Sequence, residues 1–169
     1  MALLDTRKDE IDYHLSKYPT KKSAVMPLLY IAQDEYGYIT PEAVQEIAAI
    51  LDVDVTHIKG VIGFYTMYYD RPKGQFLIQI CTDLPCALKG AEQVSQQACE
   101  SLGIHPGETT EDGMFTFENV MCLAACDKAP MMQVNFHYDG YEYLDLDKFN
   151  GIIEDLRREA AAARPYINE

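Results

Sequence analysis

The chain has 169 residues with a formal net charge of −13, and 48% of its residues are hydrophobic and 24% charged. This length is enough to bury one domain core, or a core domain with a helical extension. The excess of carboxylates argues against a nucleic-acid-binding surface, which needs clustered Lys and Arg, and against a polybasic membrane contact.

The first ten residues contain no apolar segment of signal-peptide length, and charges begin at Asp5. No run of about 18 uncharged apolar residues follows, so we expect no insertion into a membrane. A protein that is not exported keeps its cysteines reduced. Metal or cluster binding is therefore a better interpretation of the five cysteines than a disulfide framework.

Apolar residues in the first half of the chain recur at helical spacing. A first helix is predicted near residues 5–18, and a second begins with Ser23 as its cap and ends at Gly37. The third helix has the clearest start, because Thr40 is a good N-cap and Pro41 suits the first helical position.

An aromatic-rich segment, residues 56–69, is predicted as a fourth helix. Gly60 and Gly63 lie three positions apart on one face of it, which would permit close approach of another backbone. The turn-rich stretch 70–74 then ends the helical pattern. We therefore expect an N-terminal helical domain over residues 1–72.

After this linker the pattern changes to the alternation typical of strands. The predicted elements are a strand at 75–80, a helix at 84–102, a strand at 114–121, short strands at 131–135 and 141–144 joined by a turn at Asp139-Gly140, and a helix capped by Asp145 or Asp147. This order predicts a small α/β domain over residues 73–169, and an α+β protein as a whole.

Four cysteines form two pairs, Cys81 with Cys86 and Cys122 with Cys126. Each pair follows a predicted strand, and ligand sites in open α/β sheets favour the carboxyl ends of strands. Two loops that leave neighbouring strands at one edge would bring four sulfurs around one small inorganic core. Four thiolates are the ligands that a Cys₄ iron–sulfur cluster requires.

Other interpretations of the cysteines exist. Zinc-binding pairs have similar spacing, so the spacing alone leaves a structural zinc site open. Thiol–disulfide exchange is disfavoured, because the chain contains no Cys-x-x-Cys motif. Cys99 lies mid-helix among apolar residues and is predicted to be a buried, inert thiol. The four histidines are scattered along the sequence and suggest no joint site.

Longer motifs decide between these interpretations. They are Ile58-Lys-Gly-Val-Ile-Gly-Phe-Tyr65, Cys81-Thr-Asp-Leu-Pro-Cys-Ala-Leu-Lys-Gly-Ala91, the stretch 107–117, and Cys122-Leu-Ala-Ala-Cys-Asp-Lys-Ala-Pro-Met131. With them, the second half resembles the thioredoxin-like [2Fe–2S] ferredoxin family. Nearly the whole chain is similar to one branch of it, the 24-kDa subunits of bacterial NADH:quinone oxidoreductase (respiratory complex I).

The resemblance implies a helical N-terminal domain followed by a thioredoxin-like domain. It implies a [2Fe–2S] cluster held by Cys81, Cys86, Cys122 and Cys126, and a function in one-electron transfer. Such a subunit docks on a flavoprotein subunit that binds FMN and NADH, and its cluster lies close to the flavin. The location implied is the peripheral arm of a membrane-bound complex, on the cytoplasmic face of the inner membrane.

The sequence has neither a Gly-rich nucleotide loop nor a nucleophile arrangement. We therefore expect a non-catalytic electron-transfer subunit that does not bind NADH itself. A similar subunit serves the diaphorase modules of soluble NAD-linked hydrogenases and formate dehydrogenases, and the sequence does not separate these assemblies. A zinc-stabilised interaction module is a less favoured alternative.

Two residues beside the cysteines depart from the family pattern. Members usually have Glu immediately before the third cysteine and Gly two positions after it, whereas this chain has Met121 and Ala124. Ala124 is expected to restrict a loop in which Gly allows positive φ. The missing carboxylate removes a negative charge that would oppose reduction. We expect the ligands to be kept and the redox behaviour to differ.

Overall fold

The computed structural model describes residues 3–163, and the chain divides into two compact units, one ending at Lys73 and the other beginning at Gly74. The outermost residues of the two predicted domains, 1–2 and 164–169, lie outside the described residues. Within residues 3–163, no helix is both long enough and apolar enough to cross a membrane.

The first unit consists of helices. They are α1 (Leu3–Thr6), α2 (Lys8–Ser16), α3 (Val25–Tyr36), α4 (Pro41–Leu51) and α5 (Val55–Phe64), with a 3₁₀ turn at Lys21–Ala24 before α3. Each helix from α2 to α5 turns an apolar face inward, and Ile11, Leu28, Ile47 and Ile58 are among the residues fully buried in the shared core.

Two predicted helix boundaries in this unit are confirmed. Thr40 caps α4, because its hydroxyl accepts a 3.1 Å hydrogen bond from the Ala43 N–H, and Pro41 occupies the first turn. Gly37 ends α3 in the left-handed conformation, with φ at 76°.

Three other boundaries were predicted wrongly. Ser23 does not cap α3; its hydroxyl lies 3.1 Å from that of Thr20, inside the 3₁₀ turn. The fourth helix is capped by Asp54, whose carboxylate accepts the Thr56 N–H at 2.7 Å, and it ends at Phe64 instead of continuing to residue 69. The first predicted helix is two helices separated at Arg7.

The described part of the second unit, which ends at residue 163, contains a three-stranded sheet and three α-helices. They are β1 (Phe76–Cys81), α6 (Leu84–Ala87), α7 (Ala91–Leu102), β2 (Phe115–Val120), β3 (Met132–Val134) and α8 (Leu146–Ala163). The strand order is β2-β1-β3, with β1 parallel to β2 and antiparallel to β3. The central strand is therefore buried along its whole length.

One face of this sheet forms the main core. Phe76, Ile78 and Ile80 of β1 pack in one cluster with residues of β2, α7 and α8, among them Phe117 and Phe149. Burial of each large apolar side chain contributes about 1.5–3 kcal/mol to stability. The core holds β1 and β2 in register, so their carboxyl ends lie at one edge, with Cys81 opposite Val120.

The structure corrects two predictions here. The helix predicted at 84–102 is interrupted before α7 by Gly90, whose φ is 88°. The segment 141–144 is not a strand; the chain reverses at Asn135 and Phe136, both at positive φ, and only an isolated bridge joins Val134 to His137. Asp145, not Asp147, caps α8 by accepting the Lys148 N–H at 2.8 Å.

Candidate metal centre

The first cysteine of the site is fixed by strand pairing. Cys81 is the last residue of β1 and is 3% exposed. Its N–H donates to the Met131 carbonyl at 3.0 Å, and the next N–H, of Thr82, donates to the Val120 carbonyl at 2.9 Å. Both neighbouring segments therefore position the Cys81 backbone.

Cys86 lies in the short helix α6 and is 1% exposed. Asp83 starts this helix, because its carboxylate accepts the Leu84 N–H at 2.9 Å and its carbonyl accepts the Ala87 N–H at 2.9 Å. Burial raises the pKa of Cys86 to about 11, and a hydrogen bond with the Cys81 thiol adds to the rise. Cys81 and Cys86 belong to one buried cluster.

Asp83 is a positioning residue that the sequence reasoning missed. The signal was present, since Asp two positions before Pro is a common helix start.

The second pair follows β2. Cys122 is exposed, and Cys126 begins a 3₁₀ turn that runs to Lys128. Ala124, between them, has a φ of 56° and donates its N–H to Cys122 Sγ at 3.3 Å. The pKa of Cys126 is raised by desolvation, then by the charge of Cys122 and a hydrogen bond with its thiol.

The two pairs meet at the sheet edge. Cys81 Sγ donates to the Met121 carbonyl, next to Cys122, at 3.3 Å. The pKa of Cys86 is influenced by Cys126, and that of Cys126 by Cys81, so the pairs lie within electrostatic range of each other. The structure therefore brings the two cysteine loops, which carry all four cysteines that the sequence singled out, to the same edge of the sheet.

The fifth cysteine lies elsewhere. Cys99 is a half-buried residue of α7 that packs against the sheet core, and burial raises the pKa of its thiol. Among residues 3–163, no group of three or more His, Cys, Asp or Glu side chains is arranged to hold a single metal ion, so the four thiols do not form a closed mononuclear site in this structure.

The arrangement in two pairs fits a binuclear cluster. A [2Fe–2S] cluster takes two protein ligands on each of its irons, whereas structural zinc takes all four on one ion. Cys81 and Cys86 pack in a buried apolar cluster with Ala91, Ala129 and Met131. Cys122 and Cys126, in contrast, are exposed. Such a donor set would hold a cluster by two buried and two exposed thiolates.

The structure shows the conformation of the two residues that depart from the family pattern, Met121 and Ala124. Ala124 adopts the left-handed conformation that glycine reaches without a steric cost. The side chain of Met121 is 75% exposed, so it extends into solvent. Leu84 and Leu88, in the other cysteine loop, are also exposed. Large apolar side chains are therefore exposed in both cysteine loops.

The chain is similar to known proteins over most of its length. The profile of the family described as "Thioredoxin-like [2Fe-2S] ferredoxin" matches residues 11–157. An NADH-quinone oxidoreductase subunit of Rhizobium meliloti is 38% identical over 167 residues, which cover 95% of this chain and 98% of that protein. NADH-quinone oxidoreductase subunit 2 of Thermus thermophilus is 41% identical over 137 residues, covering 80% and 76%.

Among solved structures, an NAD⁺-reducing [NiFe]-hydrogenase in the air-oxidised state has a similar fold, with a TM-score of 0.68 at 18% identity. The match covers 82% of this chain and 24% of the hydrogenase chain, so this chain spans about a quarter of that length. The predicted α+β fold and the predicted [2Fe–2S] cofactor are confirmed. The chain belongs to the thioredoxin-like [2Fe–2S] ferredoxin family.

Proposed function

We propose that this chain is the one-electron-transfer subunit of an NADH:quinone oxidoreductase. The observation that carries this proposal is the meeting of two cysteine pairs, one buried and one exposed, at a single sheet edge. Its relatives named as NADH-quinone oxidoreductase subunits support the assembly.

The ligands in this proposal are Cys81, Cys86, Cys122 and Cys126. The bound cluster supplies a centre that accepts and releases one electron. The chain supplies four thiolates, and burial of Cys81 and Cys86 excludes water from one side of the site. The Ala124 N–H donates to sulfur, which stabilises negative charge there.

The partner in this proposal is a flavoprotein subunit that binds FMN and NADH. An electron that reaches the site through the protein surface has the shortest path at the exposed pair, Cys122 and Cys126. The side chains of Leu84, Leu88 and Met121, in the two cysteine loops, are also exposed and offer apolar contact area to a partner. The assembly would place the chain in the peripheral arm of a membrane-bound complex.

The chain would act without binding NADH itself. Its sequence contains no Gly-rich loop of the kind that cradles a dinucleotide phosphate. In the proposed assembly, hydride chemistry belongs to the flavoprotein, and this chain handles only single electrons.

A second candidate keeps the fold and changes the assembly to the diaphorase module of a soluble NAD-linked hydrogenase or formate dehydrogenase. The fold likeness to the hydrogenase chain favours it. The sequence relatives favour the quinone oxidoreductase, because their identity extends over most of both chains.

Visible absorption of the purified protein tests the cofactor. We expect a brown protein with equal iron and acid-labile sulfide, and an EPR signal of a [2Fe–2S]⁺ centre after reduction. A colourless protein that contains zinc would overturn the proposal in favour of an interaction module. Purification with the flavoprotein and quinone-reducing subunits, or with a hydrogenase, then decides between the two assemblies.

A further inference from the structure

The face of the sheet opposite the main core carries buried polar side chains. Side chains alternate between the two faces of a strand, and Phe76, Ile78 and Ile80 of β1 pack in the core with α7 and α8. Gln79 and Cys81 therefore point to the other face. Because Gln79 is only 4% exposed, an amide is buried on the same face as the first cysteine.

Gln79 is the middle of three polar side chains that lie in a row across the sheet. It is opposite Glu118 of β2 and opposite Gln133 of β3. Gln133 is 8% exposed and donates from Nε2 to the Gln79 amide oxygen, and Gln79 donates from Nε2 to Glu118 Oε2 at 2.8 Å. Both donors point in the same direction, so this polar row, Gln133, Gln79 and Glu118, ends at a carboxylate.

The polar row fixes the position of the Glu118 charge. Buried amides cost free energy unless they are hydrogen-bonded, and a chain of donors that ends at a carboxylate is strengthened by the negative charge. Glu118 is half-buried, and within residues 3–163 no ion pair joins its carboxylate to Lys, Arg or His. The carboxylate is therefore held by an amide and not neutralised by a neighbouring cation of the described chain.

The polar row is next to the buried thiols. Cys81 follows Gln79 by two residues on the same face of β1, a distance of about 7 Å along the strand. Val120 follows Glu118 by two residues, lies opposite Cys81 and packs against the buried group that contains Cys81 and Cys86. Glu118 is thus one row of side chains away from the two buried ligands of the proposed site.

A charge in this position acts differently from a charge in solvent. Charge interactions are stronger where protein replaces water, and salt screens them less. A [2Fe–2S] centre gains one negative charge when it accepts an electron. A carboxylate that is held beside the buried thiolates opposes this gain, and the reduced form of the cluster becomes less favourable.

We propose that Glu118, held in place by Gln79 and Gln133, lowers the midpoint potential of the cluster from the buried side of the site. Gln79 is a positioning residue, because it acts on the cluster through Glu118. The inference rests on the proposed function only for the one-electron cluster and is independent of the partner subunit. A merely structural role of the polar row requires the same hydrogen bonds but gives the Glu118 charge no effect on the potential.

The test is a redox titration of the full chain with its cluster, reduced by dithionite and followed by EPR. Glu118→Gln keeps the side-chain shape and an oxygen that can accept from Gln79, but it removes the charge. Its midpoint potential should be higher than that of the natural chain, and the shift should persist at high salt. Glu154→Gln is the matched control, because it removes an exposed carboxylate from α8, which packs on the opposite face of the sheet. Its potential should equal that of the natural chain.

Gln79→Met tests the positioning role. Methionine has a similar size but donates no hydrogen bond, so the Glu118 carboxylate is free to turn towards solvent. The potential should rise, and the cluster-free protein should unfold at a lower temperature, because Gln133 and Glu118 lose their partner. In the Glu118→Gln background the same change should give no further rise in potential. If Glu118→Gln takes up no cluster, the potential of Gln79→Met decides alone.

Equal potentials for the natural chain and Glu118→Gln, with intact spectra, would overturn the inference and leave the proposed function standing. A lower potential for Glu118→Gln, or a shift that disappears at high salt, would overturn it as well. Additive shifts in the double variant, or a Gln79→Met chain that loses stability at an unchanged potential, would show that Gln79 does not act through Glu118. A natural chain without a [2Fe–2S] signal would overturn the proposed function, and the inference with it.

Discussion

The Cys81 thiol donates a 3.3 Å hydrogen bond to the backbone carbonyl of Met121, whereas the Met121 side chain is 75% exposed. Residue 121 therefore touches the site through a backbone group that any residue supplies. Its side chain acts on the site only through solvent, where charge interactions are weak. The replacement of the family's usual Glu by Met is thus a small electrostatic change, not a structural one.

This geometry predicts the redox effect of Met121→Glu. A unit charge at a separation on the order of 8 Å in water interacts by about 0.5 kcal/mol before salt screening. With screening, we expect the midpoint potential to fall by about 10–20 mV, because the added carboxylate opposes reduction. Redox titration followed by EPR measures the shift.

Met121→Gln is the control for this change, since it has similar size and no charge. Its potential should stay within experimental error of the natural value. A higher potential for Met121→Glu, with the spectrum intact, would show that the side chain acts by some means other than charge.

The backbone conformation of Ala124 predicts that replacing this residue by glycine stabilises the protein. Its φ of 56° is strained for alanine and relaxed for glycine, so Ala124→Gly should raise the free energy of unfolding by up to about 1 kcal/mol, partly offset by the freer unfolded chain. Denaturant titration of the protein without its cluster measures the change.

Ala125→Gly serves for comparison, because Ala125 has a φ of −125°. This variant should lose about 0.5–1 kcal/mol, as glycine does where φ is negative. If both glycine variants were destabilised equally, the left-handed conformation of Ala124 would be wrong.

Replacement of the proposed ligands should be severe and selective. Serine at position 81, 86, 122 or 126 removes one of four thiolates, so each variant should lose the normal visible spectrum and most of its iron. Cys99→Ser should retain both, because Cys99 packs in α7 against the sheet core. Loss of the spectrum in Cys99→Ser, with one of the four serine variants unaffected, would refute the assignment.

Burial of Cys99 predicts slow chemistry at its thiol. Burial raises the pKa of Cys99 above the ordinary value, so the folded protein holds less thiolate at any given pH than a peptide does. Alkylation by iodoacetamide at pH 8 should therefore be slower than for a peptide cysteine, and should approach that rate only at higher pH. Peptide mapping by mass spectrometry follows the modified residue.

The unfolded protein in urea is the reference for this reaction, and its Cys99 should react at the ordinary rate. A folded protein that reacts equally fast would mean that the Cys99 thiol is open to solvent and not packed against the sheet core.

We propose that the second unit is a domain that folds alone. Gly74 belongs to it, because the Gly74 N–H donates to Thr116 Oγ1 at 2.6 Å and a Cβ there would lie 2.8 Å from the backbone of Phe115. A chain that begins at Lys73 should therefore keep the sheet and all four cysteines, and should show the visible spectrum of the full chain after reconstitution.

The same shortened chain lacks the whole helical unit, whose surface is then no longer available to a partner, so its affinity for the flavoprotein should fall. A full chain that takes up the cluster, beside a shortened chain that does not, would show that the two units form one cooperative core.

Sequence patterns predicted those features that local chemistry determines. Thr40 and Pro41 mark the start of α4 by capping alone, and the cysteine pairs follow strands that alternate clearly. The prediction of one helix over residues 84–102 was wrong at Gly90, where φ is 88°. Glycine permits this conformation but does not require it, so the sequence did not indicate the break. The fourth helix was predicted too long, since Tyr65 and Tyr68 keep helical spacing while packing against each other outside a helix.

The sequence did not predict which side chains beside the cysteines are exposed. Met121 and Leu123 are both apolar residues beside Cys122, yet Met121 projects into solvent and Leu123 packs towards the site. This difference is decided by where the two loops meet, which depends on the pairing of β1 with β2. The size of any electrostatic effect at position 121 therefore had to come from the structure.

The contact between Cys81 and Met121 joins residues 40 positions apart in the chain. Parallel pairing of such distant strands is slow, because the loop between them loses entropy before any contact forms. During synthesis the first cysteine pair is made well before the second, so β1 has no parallel partner until β2 has been made. The four cysteines therefore become available to one cluster only in a chain whose two strands have paired.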